Sequence, residues 1–385
     1  MEDCNKHMIR RKIFYVASVD WGFMSHRLPL IIHGIKNGDE VFLLTADTGR
    51  MSELRALGVH CIHIPFTRGR GSILHEMKCL YALYKCFKKY NPDIIHNVNL
   101  KITLLGSLSA RMSGHFHVVN AINGLGYCFT DGRTGIFQHL IQILIKTVLK
   151  NRRFSFILQN PDDMQMVRRL KLTDDSKLYL IKGSGVDLVK FHPKERNNTL
   201  PLKILFPSRI LLDKGVIELI EAANLIKNEV KGRAMFVLAG DCDRDNPAVL
   251  EEEKLCSLLE PGYIEWIGYQ KDMFPVFADS DIVTLPSYRE GLPKALIEAC
   301  AVGLPIVTTN AIGCKECVID DYNGYLVPVR NSVKLAEALK RLIFDSEKRK
   351  IFGVNSRNKA EQEFSIQSVI ERTFRIYDTY KHVER

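Results

Sequence analysis

Residues 281–313 read D-I-V-T-L-P-S-Y-R-E-G-L-P-K-A-L-I-E-A-C-A-V-G-L-P-I-V-T-T-N-A-I-G, and the order of apolar and breaking residues in them decides the fold. Asp281–Leu285 is a short apolar run closed by Pro286, the pattern of a buried parallel strand. Pro293 suits the first turn of a helix, where its missing N–H costs nothing. Gly303 and Pro305 stop that helix, and Ile306–Thr309 is the next β-branched strand. Glu290 and Glu298 bracket the helix start, so they would meet a bound molecule at two different points.

A helix N-terminus beside Gly291 offers unpaired N–H groups and a partial positive charge to an anion. Glycine has no Cβ, so the backbone there can approach a ligand closely. A diphosphate can therefore sit at Gly291–Leu292 while the two carboxylates accept hydrogen bonds from hydroxyls, a combination that suits a nucleotide sugar. An arbitrary E-x7-E describes an amphipathic helix with two solvated glutamates equally well. The strand–loop–helix setting and the E-G-L-P start favour the ligand site.

Leu202–Phe206 begins a second sheet, Arg209 lies just past it, and Lys214-Gly215 opens a helix over Val216–Lys227. Two cations at a strand end and a helix start make a second anion site, facing the same edge as Gly291. Each alone would read as a surface charge; together with residues 290–298 they read as a clamp.

The 281–313 stretch resembles the E-x7-E signature of the family-4 retaining glycosyltransferases of the GT-B fold, and the resemblance extends over nearly the whole chain. Within that family it is most similar to bacterial enzymes that extend sugars on undecaprenyl diphosphate, such as N-acetylgalactosaminyltransferases. The resemblance implies an α/β protein of two Rossmann-like, doubly wound domains facing across a cleft. It implies a UDP-sugar donor, an undecaprenyl-diphosphate-linked saccharide acceptor, no cofactor and no metal. The S-R-x4-K-G arrangement of Arg209 and Lys214 resembles the donor-diphosphate clamp. By the same likeness Glu290 positions the transferred sugar, Glu298 the ribose, and backbone over Ile267–Gln270 meets the base. Retention is attributed in that family to same-face attack, the donor phosphate helping to take the acceptor proton.

The 385 residues suffice for two α/β domains of about 190 residues each. Lys182–Asp187 with Phe191-His192-Pro193 resembles the family's domain-crossing segment, and the polar Lys194–Pro201 follows as a linker. The expected organisation is an acceptor-binding domain over 1–195, a nucleotide-sugar domain over 196–363, and a C-terminal helix in 364–385 packing back on the first domain. Residues 1–195 hold 28 Lys and Arg against 16 Asp and Glu, a charge of +12, whereas the remainder carries −2. The first half therefore faces an anionic partner. Nucleic acid lacks any supporting motif; an anionic inner-membrane surface fits better. Ser72–Tyr90 and Gly135–Lys150 combine apolar faces with Lys and Arg (Arg68 and Arg70 beside the first, Arg152 and Arg153 beside the second) and read either as interfacial helices or as core helices with solvated basic ends. No run of about 18 apolar residues suggests a spanning helix. The first ten residues lack a secretory apolar core, and the ten cysteines look like reduced thiols. The expected location is the cytoplasmic face of the inner membrane.

Ile13–Ser18 is the first strand, and the polar run Val19–His26 is expected to be a loop before a helix starting near Arg27–Pro29. His26-Arg27-Leu28-Pro29 resembles a segment of transferases acting on polyprenyl-diphosphate sugars, which puts Arg27, with His26, toward the acceptor's diphosphate. The other reading is an exposed first-turn arginine. Phe116–Asn120 is a strand followed by A-I-N-G-L-G-Y over 121–127. Many family members have a histidine where Asn123 stands; an amide cannot act as a base near neutral pH. Gly124 and Gly126 would admit a substrate or serve a turn. Cys314-x-x-Cys317 lacks a second pair for zinc. Asp241-x-Asp243, with Asp245 and Glu252, mimics a metal loop, but Asn246 stands where a calcium loop needs glycine; it reads as an ordinary strand–helix connection. Alternatives to transfer are a nucleotide-sugar epimerase or phosphorylase-like enzyme without a lipid acceptor, and a non-catalytic nucleotide-sugar or membrane-binding protein.

Overall fold

The computed structural model describes residues 10–67, 71–125, 136–195, 199–244 and 246–380, with side chains from 142 onward in the helix Ile136–Leu149. Arg68, Arg70, Gly126, Tyr127, Gly135 and Asp245, named above, lie outside the described residues. The chain divides into two compact units, Met1–Ser184 with Ser368–Arg385, and Gly185–Gln367. The crossing segment 185–195 thus counts with the second unit.

The first unit contains β1 (Lys12–Val19), β2 (Glu40–Ala46), β3 (His60–His63), β4 (Ile94–Val98), β5 (Val118–Ile122), β6 (Ser155–Leu158) and β7 (Leu178–Leu180). They form one parallel sheet in the order β3-β2-β1-β4-β5-β6-β7. The second unit contains β8 (Leu202–Pro207), β9 (Ala234–Ala239), β10 (Ile264–Trp266), β11 (Ile282–Leu285), β12 (Ile306–Thr309) and β13 (Gly324–Val327), parallel in the order β10-β9-β8-β11-β12-β13. A parallel sheet covered on both faces needs continuous apolar strands; Ile13–Val16, Val41–Leu44, Ile204–Phe206 and Ile306–Val307 are all buried. Strand order reverses beside the first strand of each sheet, between β1 and β4 and between β8 and β11. In doubly wound sheets a crevice opens at that point, outside the strands' carboxyl ends.

Two sequence expectations change. β6 is a strand that the sequence reading does not mark. The helix expected near Arg27–Pro29 begins at Asp20 and runs to Lys36, with Pro29 inside it. Asp20 lies in the first turn, where a negative charge favours helix initiation. Its carboxylate also accepts N–H groups of Thr48 and Arg50, each at 3.0 Å, tying the helix start to the connection after β2. Arg27 is consequently a mid-helix residue on the inward face with Phe23, Leu30 and Ile31. It is only 2% exposed, which rules out the exposed first-turn arginine.

The helix Ile366–Asp378 brings the C-terminal segment into the first unit. Arg11 pairs with Asp378 at 2.9 Å, Tyr377 hydroxyl lies 2.7 Å from His96 Nδ1, and Tyr380 hydroxyl donates to Ser155 Oγ at 2.7 Å.

Candidate active site

In the second unit the connection after β8 carries Arg209 and Lys214, and the connection after β11 carries Glu290 and Gly291. Gly215 holds the two connections together. It adopts φ +76°, and a Cβ there would run into the Pro286 carbonyl, so only glycine lets the start of the helix Val216–Ile226 lie against β11's end. Gly313, at φ +83°, does the same from the connection after β12, backing onto the Glu290 and Gly291 carbonyls. Further bonds fix the loop. Tyr288 N–H donates to Asp213 O at 2.9 Å, Glu290 N–H to Ile312 O at 2.9 Å, and Thr309 Oγ1 to Ser287 O. Tyr288 hydroxyl donates to Glu218 Oε1 at 2.6 Å, and the Arg330 guanidinium lies 4.5 Å over the Tyr288 ring.

Glu290 accepts from Lys214 Nζ and, at 2.9 Å, from Ser287 Oγ. Both members of the ion pair keep 15% of their side-chain surface in solvent, so the pair lines an accessible wall. Gly291 and Leu292 lead into the helix Lys294–Ala301; Pro293 is its N-cap, one position ahead of the expected first turn. The Leu292 side chain belongs to the core, so its backbone is what a ligand could meet. Glu298 is 5% exposed and pairs with Lys294. Burial raises its carboxyl pKa above the ordinary value, while the Lys294 charge pulls the other way.

Arg209 donates to Asp243. Within the connection after β9, Asp243 supplies the counter-charge that holds Arg209. Among the described residues no group of three or more acids, histidines and cysteines could hold a metal ion. Ile267 follows β10, its N–H on Leu238 O at 2.9 Å and its side chain 38% exposed, at the sheet edge two strands from β8.

In the first unit Arg27 reaches Asn123 Oδ1 through Nη2 at 3.5 Å. Gln159, at the end of β6, donates Nε2 to the same oxygen at 3.1 Å. His26 Nδ1 lies 3.4 Å from Ser184 Oγ, and Gly124 follows Asn123 in the connection after β5. Among the described residues Arg27 has no carboxylate partner, and its Nε is buried without a hydrogen bond. Burial lowers the pKa of this guanidinium, while Tyr377 and Tyr15 pull the other way. His96, also fully buried, is held neutral well below its ordinary value by burial first and by the Arg27 charge second. Gln159 is a site residue that the sequence did not disclose, and Asp243 is one that it named only within a metal-loop pattern. Strand adjacency brings them to Asn123 and Arg209.

Doubly wound units with cations and a helix start at one switch point define a nucleotide-binding α/β enzyme. A family model described as glycosyl transferases group 1 matches residues 189–359, and one described as glycosyl transferase 4-like matches residues 12–160. The chain is 29% identical over 380 residues to N,N'-diacetylbacillosaminyl-diphospho-undecaprenol alpha-1,3-N-acetylgalactosaminyltransferase of Campylobacter jejuni, covering 93% of this chain and 98% of that one. It is 26% identical over 352 residues to UDP-Gal:alpha-D-GlcNAc-diphosphoundecaprenol alpha-1,3-galactosyltransferase of Escherichia coli, covering 89% and 88%. The crystal structure of Anabaena HepE in complex with UDP and glucose superposes with a TM-score of 0.77 at 16% identity, over 96% of this chain and all of that one. The chain thus matches a glycosyltransferase family model in each unit and has the GT-B fold.

Proposed function

We propose that the protein transfers a hexose or N-acetylhexosamine, with retention and without a metal, from a UDP-sugar to a saccharide on undecaprenyl diphosphate in cell-surface polysaccharide assembly. The observation that carries this reading is the Lys214–Glu290 pair at the β8/β11 switch point, beside Gly291 and Leu292, which lead into the helix Lys294–Ala301. Breaking the anomeric C–O bond loads negative charge onto the departing diphosphate. Preorganised positive groups that receive it accelerate the step. Lys214, Arg209 and the N–H groups at Gly291–Leu292 are such groups. Glu290 accepts hydrogen bonds from the transferred sugar and Glu298 from the ribose, with Ile267 beside the base. The acceptor hydroxyl oxygen bonds to the anomeric carbon, UDP leaves, and the hydroxyl proton passes to the donor phosphate. Retention rests on the likeness to the retaining family-4 enzymes.

Arg27, with His26, Asn123 and Gly124, faces the acceptor's diphosphate; a buried guanidinium without a counter-ion is suited to an anion brought by the substrate. The helix Ile73–Tyr90 exposes Ile73, Leu74, Met77 and Tyr81 together with Lys78, Lys85, Lys88 and Lys89. That face fits the cytoplasmic surface of an anionic inner membrane, where the acceptor's lipid resides. No helix of the described residues is long and apolar enough to cross a membrane. A panel of radiolabelled UDP-sugars against undecaprenyl-diphosphate-linked saccharides, with and without chelator, tests the proposal. One donor should give chelator-resistant, lipid-linked product; donor turnover independent of the lipid would overturn it.

A further inference from the structure

One amide and one guanidinium converge on a single oxygen, Asn123 Oδ1, at the carboxyl edge of the first sheet. Arginine has donors only, so Asn123 can face Arg27 only through Oδ1. That contact settles the amide's orientation by chemistry. With Oδ1 fixed, Gln159 must present Nε2, and it does so at 3.1 Å. Gln159 is 6% exposed at the end of β6, so its own rotation is confined by the core around it. The consequence is a polarity. Asn123 keeps its oxygen on the two donors, and its N–H2 end is uncommitted among the described residues. What remains for a ligand is Arg27, which lacks a carboxylate, and the amide hydrogens of Asn123.

From this arrangement we infer that Gln159 is a positioning residue for the acceptor: it locks Asn123 so that Arg27 and the Asn123 amide together present hydrogen-bond donors to an anion. The inference rests on the proposal that this edge receives the acceptor's diphosphate. It adds why asparagine works at position 123. A residue there must accept from a buried guanidinium and still donate outward, which a carboxylate cannot do. A carboxylate at 159 would reverse the polarity, leaving two oxygens opposed or placing a permanent counter-ion on Arg27 that a substrate phosphate would have to displace.

Steady-state kinetics of the full chain with a saccharide on undecaprenyl diphosphate test this. Gln159→Glu should raise acceptor KM about tenfold or more, the scale of losing one charge-assisted contact. Donor KM should stay unchanged, and kcat at saturating acceptor should stay within about twofold. Gln159→Met, which keeps bulk and removes the donor, should raise acceptor KM less than Gln159→Glu; a role in packing alone would make the two equal. Should Gln159→Glu fold poorly, as its Tm would show, a raised acceptor KM in Gln159→Met supports the inference and an unchanged one overturns it. Arg27→Gln separates the two levels. If it raises acceptor KM while both Gln159 variants leave KM unchanged, Gln159 has no such role and the acceptor reading stands. If Arg27→Gln has no effect, the acceptor reading itself fails.

Discussion

The two switch points use one strand order and opposite electrostatics. In the second unit the three cations beside the switch point are each paired: Lys214 with Glu290, Arg209 with Asp243, Lys294 with Glu298. In the first unit Arg27 is buried with no acid to answer it among the described residues. A paired, partly exposed cluster can exchange its partners for a ligand at little net cost. An unpaired buried cation already carries its desolvation penalty and recovers it only when an anion arrives. On the proposed function, the chemistry belongs to the second unit and recognition of a charged substrate to the first.

Removing the central cation of the paired site should have the largest effect. Lys214→Ala should cut turnover by about a hundredfold to a thousandfold, the scale of losing one preorganised charge stabiliser; a near-normal kcat would remove Lys214 from that role. Next comes the glycine that joins the loops. Gly215→Ala must adopt an unfavourable φ and push against the Pro286 carbonyl. It should cost roughly 2 kcal/mol in denaturant unfolding, with a parallel loss of kcat.

The unpaired site should respond more mildly and on a different parameter. Arg27→Ala should raise acceptor KM about tenfold with donor KM unchanged. Equal changes in both constants would erase the distinction between the sites. The smallest effect is a pH slope. His96 is held neutral in the folded chain, so below about pH 6.5 the unfolded chain takes up the proton first. Stability is therefore lost as pH falls. Relative to wild type, His96→Gln should flatten that slope by up to about 1.4 kcal/mol per pH unit. His115 and His117 shift in the same direction and remain in both proteins, so the difference isolates His96.

The second-unit site was legible in the sequence because its parts are local. Pro286, Glu290, Gly291, Pro293 and Gly303 punctuate one strand–loop–helix, and Arg209 and Lys214 share one connection. The first-unit site was only half legible. His26, Arg27, Asn123 and Gly124 could be named, but Arg27 was open to a surface reading because Gly22 and Pro29 disguise a helix that starts at Asp20. Gln159 and Asp243 enter through neighbours far along the chain, just after β6 and after β9, and no local pattern marks such a contact. The interfacial reading of Ser72–Tyr90 came from composition; which of its apolar residues lie outside required the packing of Leu80, Leu83 and Phe87 inward.

Amide hydrogen exchange of the full chain with and without UDP tests the division most directly. UDP should protect residues 209–216 and 287–298 and leave residues 20–30 and 121–125 unchanged. Protection confined to the first-unit segments would contradict the account, since the nucleotide would then occupy the edge assigned to the acceptor.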